Sequence, residues 1–305
     1  MLWIAFLNLR LKFVVPTLSC LLLVYLTILH LRFLPFETKL YDYSSYPKMA
    51  LTVVAPTFYS NVDETRYLLG LEACQNAARY KIRLLLVDAS PTDDVREGLL
   101  AAGQGYVKVM KQTSSGRKGA ALREAIQWAN NDDANDSSTM IIGFQELEKV
   151  DMFRHWGPLV QHMMETSADI GVPRRHDDSF RAGYPIEQYH CESFANLYLD
   201  SLSRDIGLVS IDWTMGPVAF RKPFAKYWID FDGDMWDAQL VPLVQAFQAG
   251  AKVSLSVDYL HPKSMKEQEE GVAQWNEKRL HQLNFLRMTV GKALVDVSTS
   301  QKAIK

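Results

Sequence analysis

The chain has 305 residues, a formal net charge of −2, and 48% hydrophobic against 22% charged residues. That is an ordinary globular balance, with length for one large core or two smaller ones. The near-neutral charge supplies no basic excess to neutralise a phosphate backbone, so nucleic acid is not an expected partner, and Cys20, Cys74 and Cys191 form neither a metal-ligand spacing nor a disulfide framework.

In chain order, the first feature is an apolar run. From Phe13 to Leu31, "FVVPTLSCLLLVYLTILHL", no residue carries a formal charge. About 19 residues are roughly what a hydrocarbon core of about 30 Å requires. A cleaved signal would have a shorter apolar core, about 7–15 residues, and would end at a small-x-small site. Here "RFLPFETKLYDYSSYP" follows instead. The expectation is an uncleaved single-span anchor within residues 1–36, with the membrane as a partner. A short cytosolic N-terminus and the bulk of the chain in a lumen is the default orientation. In a eukaryote that lumen is the Golgi or the endoplasmic reticulum. Arg10, Lys12 and Arg32 flank both ends, so basic residues alone do not fix the orientation. Residues 37–50 read as a stem. The triplet "NDS" at 135–137 is a glycosylation acceptor compatible with a lumenal domain. Cys20 lies in the apolar run, which leaves Cys74 and Cys191 as the pair a folded domain has available.

From residue 51 the pattern alternates. "LTVVAP" (51–56), "IRLLLVD" (82–88), "YVKVMKQ" (106–112) and "TMIIGF" (139–144) are strand-like. Between them, 64–80, 93–103 and 119–131 have helical apolar spacing, with Gly103 as a stop. Continuous apolar runs alternating with helices predict an α/β fold with a mostly parallel sheet covered on both faces. The second half, 151–305, is less regular. A short strand lies within 168–175, and 184–204 is mainly helical. A turn leads into a strand over 213–222. A helix stopped by Gly250 and then a strand occupy 235–262, and a closing helix or helix pair fills 269–294.

Ligands of open parallel sheets bind at the carboxyl ends of the strands. There the sequence supplies "APTFYS", "DASPTDD", "KQTSSGRKGAA" and "QELEK". The third combines Gly116 and Gly119 with Arg117 and Lys118 just before a helix, which suits a phosphate. Asp88, ending a buried strand, is suited to accept hydrogen bonds from a base or ribose. Glu146 and Glu148 offer hard oxygens of the kind that hold Mg²⁺ or Mn²⁺. In an extended segment, residues two apart point the same way. His261 is a further candidate metal or phosphate contact. Tyr184, Trp213 and Trp236 are candidates for a sugar-stacking wall, and Arg174 and Arg175 for substrate contact. Each has a plainer reading: a turn or cap for Asp88, solvated loop acids for Glu146 and Glu148, an exposed turn for "GRKG", surface charges for the arginines, and core for the tryptophans.

This order of segments resembles the family-2 glycosyltransferases of the GT-A fold. The opening strand and "P-T/S-Y/F" turn appear as "VVAPTF", and the "vDdgStD" strand end as "LLVDASPTDD". The glycine-lysine helix start appears as "GRKGAALREAI", followed by a strand leading to the D-x-D position. The resemblance covers 51–150 clearly and 210–262 loosely. It implies a nucleotide-diphospho-sugar donor bound by Pro56, Thr57, Phe58, Asp88, Ser90, Arg117, Lys118, Gly119 and Lys149. It also implies a glycan, glycoprotein or glycolipid acceptor, and inversion at the sugar. Residues 51–150 become the nucleotide-sugar half and 151–305 the acceptor-side half. The D-x-D position holds Glu146-Leu147-Glu148 with Lys149 after it. A divalent cation, Mn²⁺ or Mg²⁺, is the favoured counter-charge there, held by Glu146, Glu148 and His261. A site in which lysine neutralises phosphate is the alternative. The acceptor-side acidic pair appears only within "DFDGDMWDAQ", which makes Asp237 the base candidate and Asp234 the second.

A sugar nucleotidylyltransferase, built on a similar sheet, would carry "GGxGxRxxP" after the first strand, where this chain has "APTFYSNVDE". A non-catalytic glycan-binding or scaffold protein on the same fold remains the alternative function.

Overall fold

Each expected strand-like run in the first half is a strand; three are apolar toward both faces, and the third in chain order lies at the sheet edge and exposes Lys108 and Lys111. β1 (Leu51–Thr57), β2 (Arg83–Asp88), β3 (Val107–Lys111) and β4 (Ile141–Phe144) pair in parallel. The computed structural model describes residues 51–131, 140–208, 210–259 and 271–304. The expected anchor, the stem, the "NDS" triplet and His261 lie outside the described residues. Among the described residues no helix is long and apolar enough to cross a membrane.

The sheet has seven strands in the order β3-β2-β1-β4-β6-β5-β7. β5 (Ile170–Arg175) and β7 (Val253–Tyr259) pair in parallel, while β6 (Val218–Arg221) runs against both β4 and β5. The strand at 213–222 was expected, but its direction was not. Reversing β6 brings the residues that lead into it, 213–217, to the carboxyl end of β4, because Phe144 pairs with Val218. Both halves of the chain contribute to this one sheet within a single compact unit, Pro47–Lys305.

Helices cover both faces. α1 (Thr65–Arg79) buries Tyr67, Gly70, Ala73, Cys74 and Ala77, a three-to-four-residue spacing that defines one stripe. With α2 (Asp93–Ala102) and α4 (Trp156–Glu165) it packs on the face carrying Val53, Ala55, Leu84 and Leu86. The opposite face, with Val54, Leu85, Val87, Ile142 and Phe144, receives α3 (Lys118–Asn130), α6 (Ile186–Ser203), α7 (Ala225–Asp230) and α8 (Asp237–Gln248). Adjacent strand residues thus serve opposite cores, as the two-residue period demands. α5 (Asp177–Gly183) follows β5. The closing helices are α9 (Ala273–Leu286) and α10 (Lys292–Ile304), joined by a π-helical turn at Arg287–Gly291. Gly250, at φ +96°, terminates α8 as expected. Cys74 and Cys191 are both free thiols.

One close packing contact prepares the site. Gly143 leaves room for the Trp156 ring, which a Cβ there would meet at 2.8 Å. The Trp156 indole then donates to Gln145 Oε1 at 2.6 Å, fixing the first residue after β4.

Candidate functional site

Strand order runs outward from β1 through β2 to β3, then resumes on the other side with β4. The crevice of such a sheet opens at that reversal, between the carboxyl ends of β1 and β4. Thr57, Asp88, Phe144 and the residues after them therefore surround one edge.

At the β2 end, Asp88 is fully buried. Its carboxylate accepts from Thr57 Oγ1 at 2.8 Å, Ser90 N at 3.1 Å, Ser90 Oγ at 2.7 Å and Arg96 Nη1 at 3.0 Å. Ser90 Oγ also accepts from Tyr59 N at 2.9 Å. The expected cleft carboxylate is thus a knot binding β1, β2 and α2. Pro56 is half-buried in β1, Thr57 belongs to the knot, and Phe58 projects into solvent at 53% exposure. Arg96, which carries the counter-charge, had no signal in the sequence beyond its helical position.

At the start of α3, the "GRKG" segment is met by the loop before α8. Arg117 N donates to Asp234 Oδ1 at 2.9 Å, and Gly119 N donates to Asp234 O at 3.1 Å. A Cβ on Gly119 would sit 2.1 Å from Gly233 O. Asp234, the second base candidate, therefore caps this helix. Upstream, Glu124 accepts from the backbone and hydroxyls of Thr113 and Ser114. Burial opposes its charge, but these donors, those of Ser114 foremost, hold its carboxyl below the usual range. They also turn the 113–114 amides inward.

The turn after β4 gathers the charges. Gln145 N continues the β1 pairing through Val54 O at 3.2 Å, and Lys149 N donates to Glu146 O at 3.0 Å, closing a tight turn. Leu147 is buried at its centre. Glu146 takes one ammonium on each oxygen: Lys118 Nζ on Oε1 at 2.7 Å and Lys149 Nζ on Oε2 at 2.9 Å. Burial works against the charged carboxylate, yet the Lys118 and Lys149 charges outweigh it and hold the Glu146 carboxyl far below the usual range. Burial disfavours the Lys149 ammonium too, and Glu146 reverses that, raising it. Glu148 turns elsewhere, to the guanidinium of Arg66 on α1, which lies 5.8 Å from the Tyr59 ring centre. The expectation that Glu146 and Glu148 share a direction fails because the segment is a turn, not an extended strand.

On the acceptor side, Asp237 is buried at the first turn of α8, and its Oδ1 accepts from Met235 N and Ala238 N, each at 3.0 Å. Its Oδ2 faces Gly233, where a Cβ would sit 2.8 Å away. Arg175, at the end of β5, is a buried hub. It donates to Asp212 from Nε at 2.8 Å and Nη2 at 2.7 Å, and to Glu192 from Nη1 at 2.6 Å. Its guanidinium lies 3.6 Å from the Phe180 ring centre. Arg174 is exposed. Trp213 is core, its indole donating to Asp200 Oδ1 at 2.8 Å, and Trp236 packs edge-on to His281 and Phe285. Tyr184 is buried, and burial raises its phenol, opposed by the nearby Lys149 and Arg175 charges.

Glu146 and Glu148, as arranged, do not fit a divalent cation. Both oxygens of Glu146 are taken by ammonium groups, and Glu148 is paired with Arg66. A unit-charge pair at 4 Å is worth about 4 kcal/mol at an effective dielectric near 20, so a dication set against two lysines meets several times that in repulsion. Among the described residues, no three His, Cys, Asp or Glu side chains converge as an ion's ligands would.

No protein-family model matches the chain, and no curated protein does. Solved structures give distant likenesses. A crystal structure of a mycobacterial protein aligns over 68% of this chain and 65% of that one, at 17% identity and TM-score 0.46. The mannosyltransferase PcManGT from Pyrobaculum calidifontis, in complex with GDP-Man and Mn²⁺, aligns over 86% and 79% at 12% identity and TM-score 0.43. The 4-diphosphocytidyl-2C-methyl-D-erythritol synthase from Anaerococcus prevotii DSM 20548 aligns over 78% and 99% at 9% identity and TM-score 0.42. At such scores the likenesses carry no functional weight; the geometry of the site carries it.

Two substitutions test this geometry. Asp88→Ala leaves Arg96 to Asp93 and the Ser90 carbonyl, but it strips the buried Thr57 hydroxyl and the Ser90 amide of their acceptor, and each buried donor left unsatisfied costs about 1–3 kcal/mol. Urea unfolding reads this directly, and a loss under about 1 kcal/mol, within the range of an exposed pair, would mean that Asp88 is no structural knot. Gly119→Ala forces the 233–234 backbone away from α3, an overpacking that costs about 1–3 kcal/mol. Hydrogen exchange at the Arg117 and Gly119 amides should accelerate with it; unchanged protection there contradicts the cap by Asp234.

Proposed function

We propose that this protein is a glycosyltransferase that moves a sugar from a nucleotide-diphospho-sugar to an acceptor hydroxyl. The observation that carries the reading is the pair of ammonium groups, Lys118 and Lys149, gathered on Glu146 beside the β1–β4 crevice of a mostly parallel sheet. Two cations at the carboxyl edge suit a leaving group whose negative charge grows as the bond to it breaks.

In the reaction, the acceptor oxygen forms a bond to the anomeric carbon. The bond from that carbon to the diphosphate oxygen breaks, and its electron pair leaves with the nucleoside diphosphate. The acceptor proton passes to a carboxylate. Asp237 is the proposed base, with Oδ1 anchored by two backbone amides and Oδ2 as the proton acceptor. A single displacement of this kind inverts the anomeric configuration. Lys118 and Lys149 neutralise the departing charge. No step runs through a divalent cation, because the carboxylates that would hold one are already paired.

A second reading, a non-catalytic glycan-binding or scaffold protein, draws support from one feature. Two groups expected to face the nucleotide, Asp88 and the start of α3, are satisfied by the chain itself.

Calorimetric titration of the full-length protein with UDP, GDP, CDP and ADP separates the two. The transferase reading expects one of them to bind with a dissociation constant in the micromolar range, about −8 kcal/mol. It also expects Lys149→Met to weaken that binding. Failure of all four nucleotides to bind, with or without Mn²⁺, would falsify the transferase reading and favour the scaffold.

A further inference from the structure

We propose that Lys118 and Lys149, held side by side by Glu146, take the place of a divalent cation at the donor diphosphate, with Glu146 as the positioning residue. This rests on the transferase reading and states how its site meets the phosphates. Three features support it. The two ammonium nitrogens arrive from different elements, the start of α3 and the turn after β4, and meet on the two oxygens of one carboxylate. Nothing in local sequence brings residues 28 apart together, so their meeting is a product of the fold.

The carboxylate is also held from behind. Gly216, in the segment leading into β6, has φ +98°, and a Cβ there would lie 2.9 Å from Glu146 Oε2. The backbone of that segment thus forms the wall against which Glu146 rests. The reversed direction of β6 makes this wall possible. The Phe144 ring lies 5.6 Å from Lys118 Nζ and limits that ammonium from the strand side.

The triad remains within reach of a ligand. The side chains of Lys118, Glu146 and Lys149 are 29%, 26% and 18% exposed. Glu148 is neutralised by Arg66, so the triad keeps one net positive charge where a diphosphate would lie. A carboxylate that holds two cations at adjacent oxygens presents them together, as a metal would present its charge, to phosphate oxygens on the open side.

Glu146 gives the test its sign. If it were only an acid near the phosphates, Glu146→Gln would remove repulsion and tighten binding. If it positions the lysines, the same change weakens binding although a negative charge has gone. The experiment titrates full-length protein with inorganic pyrophosphate and with the nucleoside diphosphate that binds, once in EDTA and once in Mn²⁺. For each ligand, the affinities in EDTA and in Mn²⁺ should agree within about twofold. Lys118→Met, Lys149→Met and Glu146→Gln should each weaken binding roughly tenfold or more, as loss of a charge-assisted contact does. Lys118→Arg, which keeps the charge at a partly exposed position, should restore much of it and controls for folding. Binding only with Mn²⁺, or tighter binding by Glu146→Gln, overturns the lysine site and leaves the transferase reading standing. Pyrophosphate bound without any nucleoside diphosphate removes the donor and leaves the diphosphate site. Binding of neither ligand in either buffer removes both.

Discussion

Glu146 is the point on which the functional edge depends. One carboxylate joins the start of α3, the turn after β4 and the segment entering β6. These three pieces come from separate parts of the chain, and the carboxylate brings them to one place. A carboxylate with a single lysine would be an ordinary surface pair of small worth. Two lysines on a partly buried carboxylate are different, since their attraction to it outweighs the cost of burial, and the acid stays charged well below its usual range.

Around this point, buried charges among the described residues hold structure. Asp88 and Arg96 knot β1, β2 and α2, while Arg175, Asp212 and Glu192 tie the end of β5 to α6. Asp234 caps α3, and Asp237 holds the turn into α8 through Oδ1, which leaves Oδ2 for the proposed base. Buried charges of this kind persist only where partners satisfy them. Beside them, the triad combines a cationic excess with access to solvent. The edge thus has walls held by satisfied charges around a small cationic cluster, which suits the proposed positioning of a diphosphate.

The sheet was largely legible in the sequence, because β1, β2 and β4 are buried on both faces and read as nearly continuous apolar runs, while β3, at the edge, keeps enough apolar residues to read as a strand. The helices between them announced themselves by spacing, and Gly103 and Gly250 stopped theirs where expected. The direction of β6 was not legible, since a strand of four residues carries no record of which way its neighbours run. The residues of the site were legible as types and not as partners. Lys118, Glu146 and Lys149 were each marked, but which cation met which acid depends on the turn at 146–149. Arg66, which neutralises Glu148 from 82 residues away, left no local trace. The partners of Asp88 were illegible for a related reason. A strand-end acid looks the same in sequence whether it faces a cleft or an arginine on the next helix. Asp234 and Asp237 share that ambiguity, because a helix start attracts acids for its dipole and its amides as readily as for chemistry.

The most direct test of this account is a crystal structure of the full-length protein with its nucleoside diphosphate, grown with Mn²⁺ present. The account predicts diphosphate oxygens within hydrogen-bond distance, about 2.7–3.2 Å, of both Lys118 Nζ and Lys149 Nζ, with Glu146 still bridging the two lysines. A manganese ion joining Glu146 or Glu148 to the phosphates, or a diphosphate bound away from the end of β4, would contradict it.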